Sequence, residues 1–206
     1  MSSSTQTFSP VIEALKKRRS FYAISKENVS SDERIQHILE ETVKYVPSSF
    51  NSQTARVVLL LGTNHDRLWD ITKETLRQVV NNEEAFKSTD QKIEAFKNGY
   101  ATVLFFEDMD IVRNLQNQFA SYKDNFPIWS NQSSGMVQLI VWTLLENEGF
   151  GASLQHYNPL IDEKVQQEWN IPSSWKLIAQ MPFGKPTASP GEKEFMPIEE
   201  RVKVFK

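Results

Sequence analysis

Pro47-Ser48-Ser49-Phe50-Asn51-Ser52-Gln53-Thr54-Ala55-Arg56-Val57-Val58-Leu59-Leu60-Leu61 is a polar loop that runs straight into an apolar segment. Pro47 stops the preceding helix, because the residue before a proline is driven out of the α region and proline has no N–H. Ser48 to Thr54 then supplies hydroxyl and amide side chains without a formal charge, a set suited to a flat, neutral, heteroatom-rich ligand. Val57 to Leu61 does not alternate and is rich in Val and Leu, which predicts a strand buried on both faces. A polar loop is thereby anchored to the edge of a rigid core.

Helix and strand signals alternate outward from this stretch. Ser9 and Pro10 read as an N-cap and first helical position, with Val11, Ile12 and Leu15 on one apolar face. That helix delivers Lys16, Lys17, Arg18 and Arg19 at its C-terminal end, where the helix dipole favours cations. The run is a solvated basic patch or a phosphate site, for which guanidinium forks and the Ser20 hydroxyl have the right chemistry. Ser30-Ser31-Asp32-Glu33 matches a capping box, and Ile35, Ile38, Leu39 and Val43 keep helical spacing up to Pro47. His37 falls within this helix. Gly62 to Asn64 reads as a turn, with His65 in its polar continuation and a helix from about Asp66 to Val80. Asn81 to Gly99 reads as helical pieces anchored by Phe86, Ile93 and Phe96.

Ala101 to Phe106 predicts a second buried strand, stopped by Glu107 to Asp110, with Asp110 as cap of the next helix. Asn125 to Gln132 reads as an aromatic, amide-rich loop ahead of the longest helix, Ser133 to about Glu148. Its residues Met136, Val137, Ile140, Val141, Leu144 and Leu145 form a broad apolar stripe and predict the most buried helix. Gly149 ends it. A short helix over Asp162 to Trp169 and a third strand over Lys176 to Met181 follow. Pro182 to Pro186 turns the chain out, with Lys185 either a surface lysine or part of a site. Arg201 to Phe205 alternates as an edge strand would. These elements favour an α+β domain spanning residues 1–206, with helices on both sides of a mixed sheet.

The 206 residues are 39% hydrophobic and 24% charged, enough to bury one core. A net charge of −3 with no basic surface beyond the local Lys16–Arg19 cluster argues against nucleic-acid binding. The chain has no cysteine, and its three histidines, His37, His65 and His156, lack metal-ligand spacing, so no metal is expected. No apolar run approaches the roughly 20 residues that span a bilayer. Met1 to Thr7 lacks a secretory pattern, and a soluble cytoplasmic protein with no membrane partner is the expectation. Neither a G-x-G-x-x-G turn, a Walker A loop nor a G-x-S-x-G elbow is present. Redox chemistry would therefore require a bound cofactor.

Pro47 to Gln53, taken with Lys17-Arg18-Arg19-Ser20, resembles the paired signatures of the FMN-dependent nitroreductase family. Gly149 to Pro159 and Ala179 to Pro186 resemble its Frm2-like and CinD-like branch more narrowly. The resemblance implies a three-layer α-β-α sandwich with a mixed, mainly antiparallel sheet, assembled as a homodimer whose C-terminal segment, about 187–206, packs across the partner. It implies FMN held by Arg18, Arg19, Ser20 and Tyr22, by Asn51, Ser52 and Gln53 from the other subunit, by the Gln155, His156 and Tyr157 loop beside the flavin ring, and by Lys185 and Arg201. It implies a ping-pong NAD(P)H oxidoreductase with NADH or NADPH as donor and nitroaromatics or quinones as acceptors, its chemistry at FMN N5 and no side chain as classical acid or base. Many family members carry lysine where this chain has Tyr22, a departure expected to lower the flavin potential. The competing reading is a flavin-binding stress or regulatory module with little turnover, the ring closed off by Phe50, Phe126 or Trp129.

Overall fold

In this computed structural model, which describes residues 9–206, five strands pair in one sheet. They are β1 (Ile24–Ser25), β2 (Ala55–Leu61), β3 (Ala101–Asp108), β4 (Gly151–Ala152) and β5 (Trp175–Pro186). The spatial order is β1-β5-β3-β2, with β4 also on β5. Every ladder is antiparallel, and a parallel pairing occurs as the isolated Ser20–Ala152 bridge. The Met1 to Thr7 stretch lies outside the described residues.

Among the described residues there are eight α-helices: α1 (Pro10–Lys17), α2 (Asp32–Tyr45), α3 (Gly62–Val80), α4 (Glu83–Lys97), α5 (Met109–Gln118), α6 (Phe126–Asn147), α7 (Asp162–Glu168) and α8 (Ile198–Arg201). The pleat divides β3 between two cores, since successive side chains point to opposite faces. Val103 and Phe105 join Ala179, Met181 and Phe183 of β5 against Ile35 and Leu39 of α2 and Val137, Val141 and Leu145 of α6. Leu104, Phe106 and Leu177 meet Leu68 and Trp69 of α3, Ile93 and Phe96 of α4, and Val165 of α7. Each fully buried phenylalanine stabilises the fold by roughly 1.5–3 kcal/mol. The three-layer α-β-α expectation holds.

Local caps account for several element boundaries. The side chains of Ser9, Ser31 and Asn82 accept the N–H groups of Ile12, Arg34 and Ala85 in the first turns of α1, α2 and α4. His65 and Trp69, one turn apart in α3, converge on Thr102. Its hydroxyl accepts the Trp69 indole N–H at 3.0 Å and lies 2.8 Å from His65 Nδ1. His65 Nε2 is 3.1 Å from the Lys97 carbonyl, which can only accept, so Nε2 carries the hydrogen and Nδ1 accepts from Thr102. Burial pushes the imidazole down to about 4, making it a neutral core group.

Seven expectations need correction. β2 is an edge strand and mostly half-buried, not enclosed on both faces. α3 starts at Gly62, so His65 is helical and buried. Asp108, not Asp110, caps α5, its carboxylate accepting the Asp110 N–H at 3.1 Å. Asn125 to Gln132 is not a loop: Pro127 sits in the first turn of α6, where its missing N–H is harmless, and Phe126 and Ser130 are buried. Along α6 the apolar stripe splits, because Met136, Leu139 and Ile140 are exposed while Val137, Val141 and Leu145 are buried. Arg201 to Phe205 forms no strand: α8 ends at Arg201, and the residues after it are exposed and join no strand among the described residues. β5 also continues to Pro186, past the expected turn at Pro182.

Gly151 fixes the approach of the N-terminal segment to the sheet. A Cβ there would lie 2.7 Å from both Cβ and Cγ of Phe21 and 2.9 Å from Pro186 Cγ. Gly151→Ala is therefore expected to cost about 1–3 kcal/mol through overpacking. Urea unfolding of the variant against the parent chain checks this, and an unchanged midpoint would show that Phe21 yields freely.

Candidate functional site

α1 ends with the Arg18 N–H bonded to the Ala14 carbonyl at 3.0 Å, after which the chain extends. The next N–H, that of Arg19, has lost its helical acceptor and donates instead to Glu146 Oε2 of α6 at 2.8 Å. Ser20 then bridges Ala152, and the Phe21 N–H donates to the Ala152 carbonyl at 2.9 Å. These contacts place Arg18, Arg19, Ser20 and Tyr22 around one cavity of about 550 Å3. Its other wall is the segment from Pro190 to Glu194, and Arg19 Nη2 donates to the Gly191 carbonyl. The Arg18 guanidinium lies over the Trp142 ring at 4.3 Å, while the Trp142 indole N–H donates to Glu146 Oε1 at 2.7 Å. Burial pushes the Glu146 carboxyl up to about 7, against the pull of both N–H donors and of the two arginines.

The Ser48–Gln53 loop is wound tightly. Phe50 (φ 59°), Asn51 (φ 49°) and Gln53 (φ 48°) are all left-handed, the conformation that costs an ordinary L residue roughly 1–2 kcal/mol. Asparagine tolerates it, and contacts offset the rest. The Gln53 N–H donates to Ser48 Oγ at 2.9 Å. Arg56 Nη1 donates to the Gln53 carbonyl at 2.8 Å while Nη2 holds Asp108 at 3.1 Å. The Phe50 ring lies 5.1 Å from that of Phe119, 5.4 Å from Phe126, 5.9 Å from Tyr122 and 6.0 Å from Trp129, the last stacked at 20°. Edge and offset contacts of this kind contribute about 0.5–1.5 kcal/mol each beyond burial.

Beneath the loop, at the paired ends of β2 and β3, Glu107 is 1% exposed. Neither of its oxygens, nor Thr54 Oγ1, reaches hydrogen-bond geometry with a partner among the described residues. Burial pushes its carboxyl up to about 7; the nearby Thr54 and Ser134 hydroxyls and the Arg56 charge oppose this and lose.

The Gln155–Tyr157 loop is tied to β5. Gln155 and Gln180 exchange backbone hydrogen bonds at 2.7 and 2.9 Å, and the Tyr157 N–H donates to Gln180 Oε1 at 2.7 Å. Two of the three amides expected to face a ligand are thus engaged, while the His156 N–H meets no acceptor among the described residues. Lys185 pairs with Glu27, and Arg201 is exposed on α8; neither lines the Arg18 cavity. Asn51, Ser52 and Gln53 do not line it either. The structure therefore brings Arg18, Arg19, Ser20 and Tyr22 together, pairs Ser20 with Ala152, and leaves both the 155–157 segment and the 48–53 loop outside the cavity lining. Trp142, Glu146, Phe119, Tyr122 and Arg56 were not foreseen as neighbours of these groups. A tryptophan and a glutamate four residues apart on an apolar helix carried the one legible signal.

An antiparallel sheet packed between helices, with a cavity at the end of α1 lined by Arg18, Arg19 and Lys193 together with Glu192 and Glu194, and a polar loop ahead of β2, defines a fold shared with known nitroreductases. The sequence profile of the Nitroreductase family matches residues 15–185, and the chain belongs to this family as a nitroreductase-type oxidoreductase. It is 32% identical over 197 residues to HBN1 of Saccharomyces cerevisiae, covering 94% of this chain and 96% of that one. It is 31% identical over 188 residues to nitroreductase FRM2 of the same yeast, covering 90% and 92%. The structure of nitroreductase CinD from Lactococcus lactis in complex with nicotinic acid superposes with a TM-score of 0.88 at 47% identity, covering 95% of this chain and all of that one.

Glu107 carries a testable pH dependence. Its folded pKa of about 7 lies above the ordinary carboxyl value of 4.5, so the neutral form is the one the fold favours. Its stabilising contribution is present below pH 4.5 and is lost as pH rises through 7, by up to about 3 kcal/mol. Glu107→Gln is expected to gain stability relative to the parent chain between pH 5 and pH 8. Parallel urea titrations at those pH values read it, and a constant difference would mean that the carboxylate is satisfied in the fold.

Proposed function

We propose that the chain is an FMN-dependent NAD(P)H oxidoreductase that reduces nitroaromatics and quinones by a ping-pong mechanism, working as one FMN-binding domain in a homodimer. The observation that carries this reading is the Arg18, Arg19 and Ser20 cradle. Two arginines and a serine hydroxyl, all within the stretch that the family profile matches, line one cavity, and this donor set fits a phosphate monoester. An anion there would compete with the Gly191 carbonyl for Arg19. Bound FMN would supply two-electron exchange with NADH or NADPH and then with the acceptor, in two half-reactions that use one face in turn.

The residues of this chain would bind and orient. Asn51, Ser52 and Gln53 offer neutral donors and acceptors on a backbone already fixed by Ser48 and Arg56. His156 offers a backbone N–H, and Lys185 and Arg201 offer further cations. Tyr22, exposed at the cavity mouth, presents a neutral phenol where a lysine would add charge. The Phe50, Phe119, Tyr122 and Trp129 rings offer a partly exposed surface for a planar aromatic acceptor. Structures of the L. lactis relative CinD in complex with 4-nitrophenol and with chloramphenicol support that class of ligand.

A homodimer is supported by three features. An apolar groove of about 480 Å3 opens between α2 and α6, lined by Tyr45, Val46, Met136, Leu139 and Ile140. The C-terminal segment exposes Phe195, Met196, Ile198, Val202, Val204 and Phe205. The 48–53 loop lies outside the cavity that holds Arg18 in the same chain.

The deciding experiment is an absorbance spectrum of the purified protein from about 300 to 550 nm, before and after anaerobic NADH or NADPH. A flavin band that bleaches with a donor and returns with a nitroarene or quinone is expected. A band that no donor bleaches would replace the enzyme by a flavin-binding module, and a colourless protein that FMN cannot reconstitute would end the FMN reading. Sedimentation of the reconstituted protein is expected to give a dimer; stoichiometric FMN on a stable monomer would refute the shared site.

A further inference from the structure

We propose that Glu146 and Trp142 of α6 are positioning residues that set the phosphate cradle from behind, the carboxylate fixing the Arg19 backbone and the indole ring that carries Arg18. The inference rests on the FMN reading and adds to it two residues that would touch neither the cofactor nor the acceptor.

The geometry has a definite logic. The Glu146 carboxylate lies near enough to both Arg18 and Arg19 to feel their charges, yet its hydrogen bonds go elsewhere. Oε2 accepts the Arg19 backbone N–H at 2.8 Å and Oε1 accepts the Trp142 indole N–H at 2.7 Å. Glu146 takes no guanidinium N–H, so the Arg18 fork, and the Arg19 fork apart from the N–H on the Gly191 carbonyl, remain available to an anion. Trp142 and Glu146 stand four residues apart on one helix, which puts them on one face and in register with the chain leaving α1. The indole, held at its N–H edge, presents its ring to the Arg18 guanidinium at 4.3 Å, a cation–π contact that restricts where the fork can point. Electrostatically, a half-buried carboxyl behind the arginines offsets their mutual repulsion when no anion is bound. Burial works against keeping it there, so the two N–H bonds must hold it.

A cradle set in this way has a signature that general stability lacks. Phosphate contacts separate FMN from riboflavin, which has the same ring and ribityl chain but no phosphate. The apoprotein, prepared from the full chain, is titrated with each flavin by fluorescence, with thermal unfolding as a check that each variant folds. Glu146→Ala is expected to weaken FMN at least about tenfold while changing riboflavin less than about twofold. Trp142→Phe, which keeps a ring and loses the indole N–H, is expected to weaken FMN less than Trp142→Leu. Arg19→Ala serves as the direct-contact control. If the parent protein binds neither FMN nor riboflavin, or binds both equally, the FMN cradle itself is wrong. If the parent prefers FMN and Arg19→Ala abolishes that preference while Glu146→Ala preserves it, the cradle stands and the positioning role is overturned. Equal losses of FMN and riboflavin in Glu146→Ala would also overturn it, reducing Glu146 to a structural cap.

Discussion

Between Ala101 and Asp108, β3 pairs with β5 on one side and β2 on the other, and its residues from Ala101 to Glu107 are buried. A strand closed in on both edges and both faces cannot shift by one residue without exchanging its two side-chain sets, so its register is strongly specified. Val103 and Phe105 must meet α2 and α6 while Leu104 and Phe106 meet α3, α4 and α7. Several segments of the candidate site are tied to this constraint. The end of β3 supports the 48–53 loop through the Asp108 N–H bond to Thr54 and the Asp108–Arg56 ion pair. β5 carries Gln180, which holds the Gln155–Tyr157 loop. β4, laid on β5, holds Ser20 and Phe21.

The site gathers features that a stable fold alone would avoid. Three non-glycine residues of one short loop are left-handed, a buried glutamate lacks partners at its foot, and a second, half-buried glutamate stands behind two arginines. Strain and desolvation of this kind persist where neighbouring structure over-determines them. Here the compensation is visible: a five-ring aromatic cluster around Phe50, the Arg56 bonds to the Gln53 carbonyl and Asp108, and paired N–H donors on Glu146. The loop backbone is thus rigid where its polar side chains are presented.

Much of the architecture is legible in local pattern. The capping serines, the stripe of Ile35, Ile38 and Leu39 ending at Pro47, and the apolar run of Ala101 to Phe106 each rest on interactions within a few residues. Their elements appear with small shifts at the ends. Errors arise where a distant partner decides. Pro127 reads as loop chemistry until Phe126 and Ser130 are seen buried under the first turn of α6. Val57 to Leu61 reads as enclosed, yet β2 has a neighbour on one edge only. Val202 and Val204 alternate as strand residues do, yet they pair with no strand among the described residues.

The same division runs through the site. Sequence by itself determined the chemistry available: cations and a hydroxyl at the end of α1, neutral donors in Ser48 to Gln53, no cysteine, and a family signature spread along the chain. These depend on residue identity and close spacing, which the chain carries explicitly. Tertiary structure decided which groups meet. It joined Arg19 to Glu146 across 127 positions and seated Arg18 on Trp142. It also engaged the Gln155 and Tyr157 amides on Gln180 and turned Lys185 toward Glu27. Such contacts follow from how helices and strands are stacked, and the packing of the two cores around β3 sets that stacking with no short-range trace in the sequence.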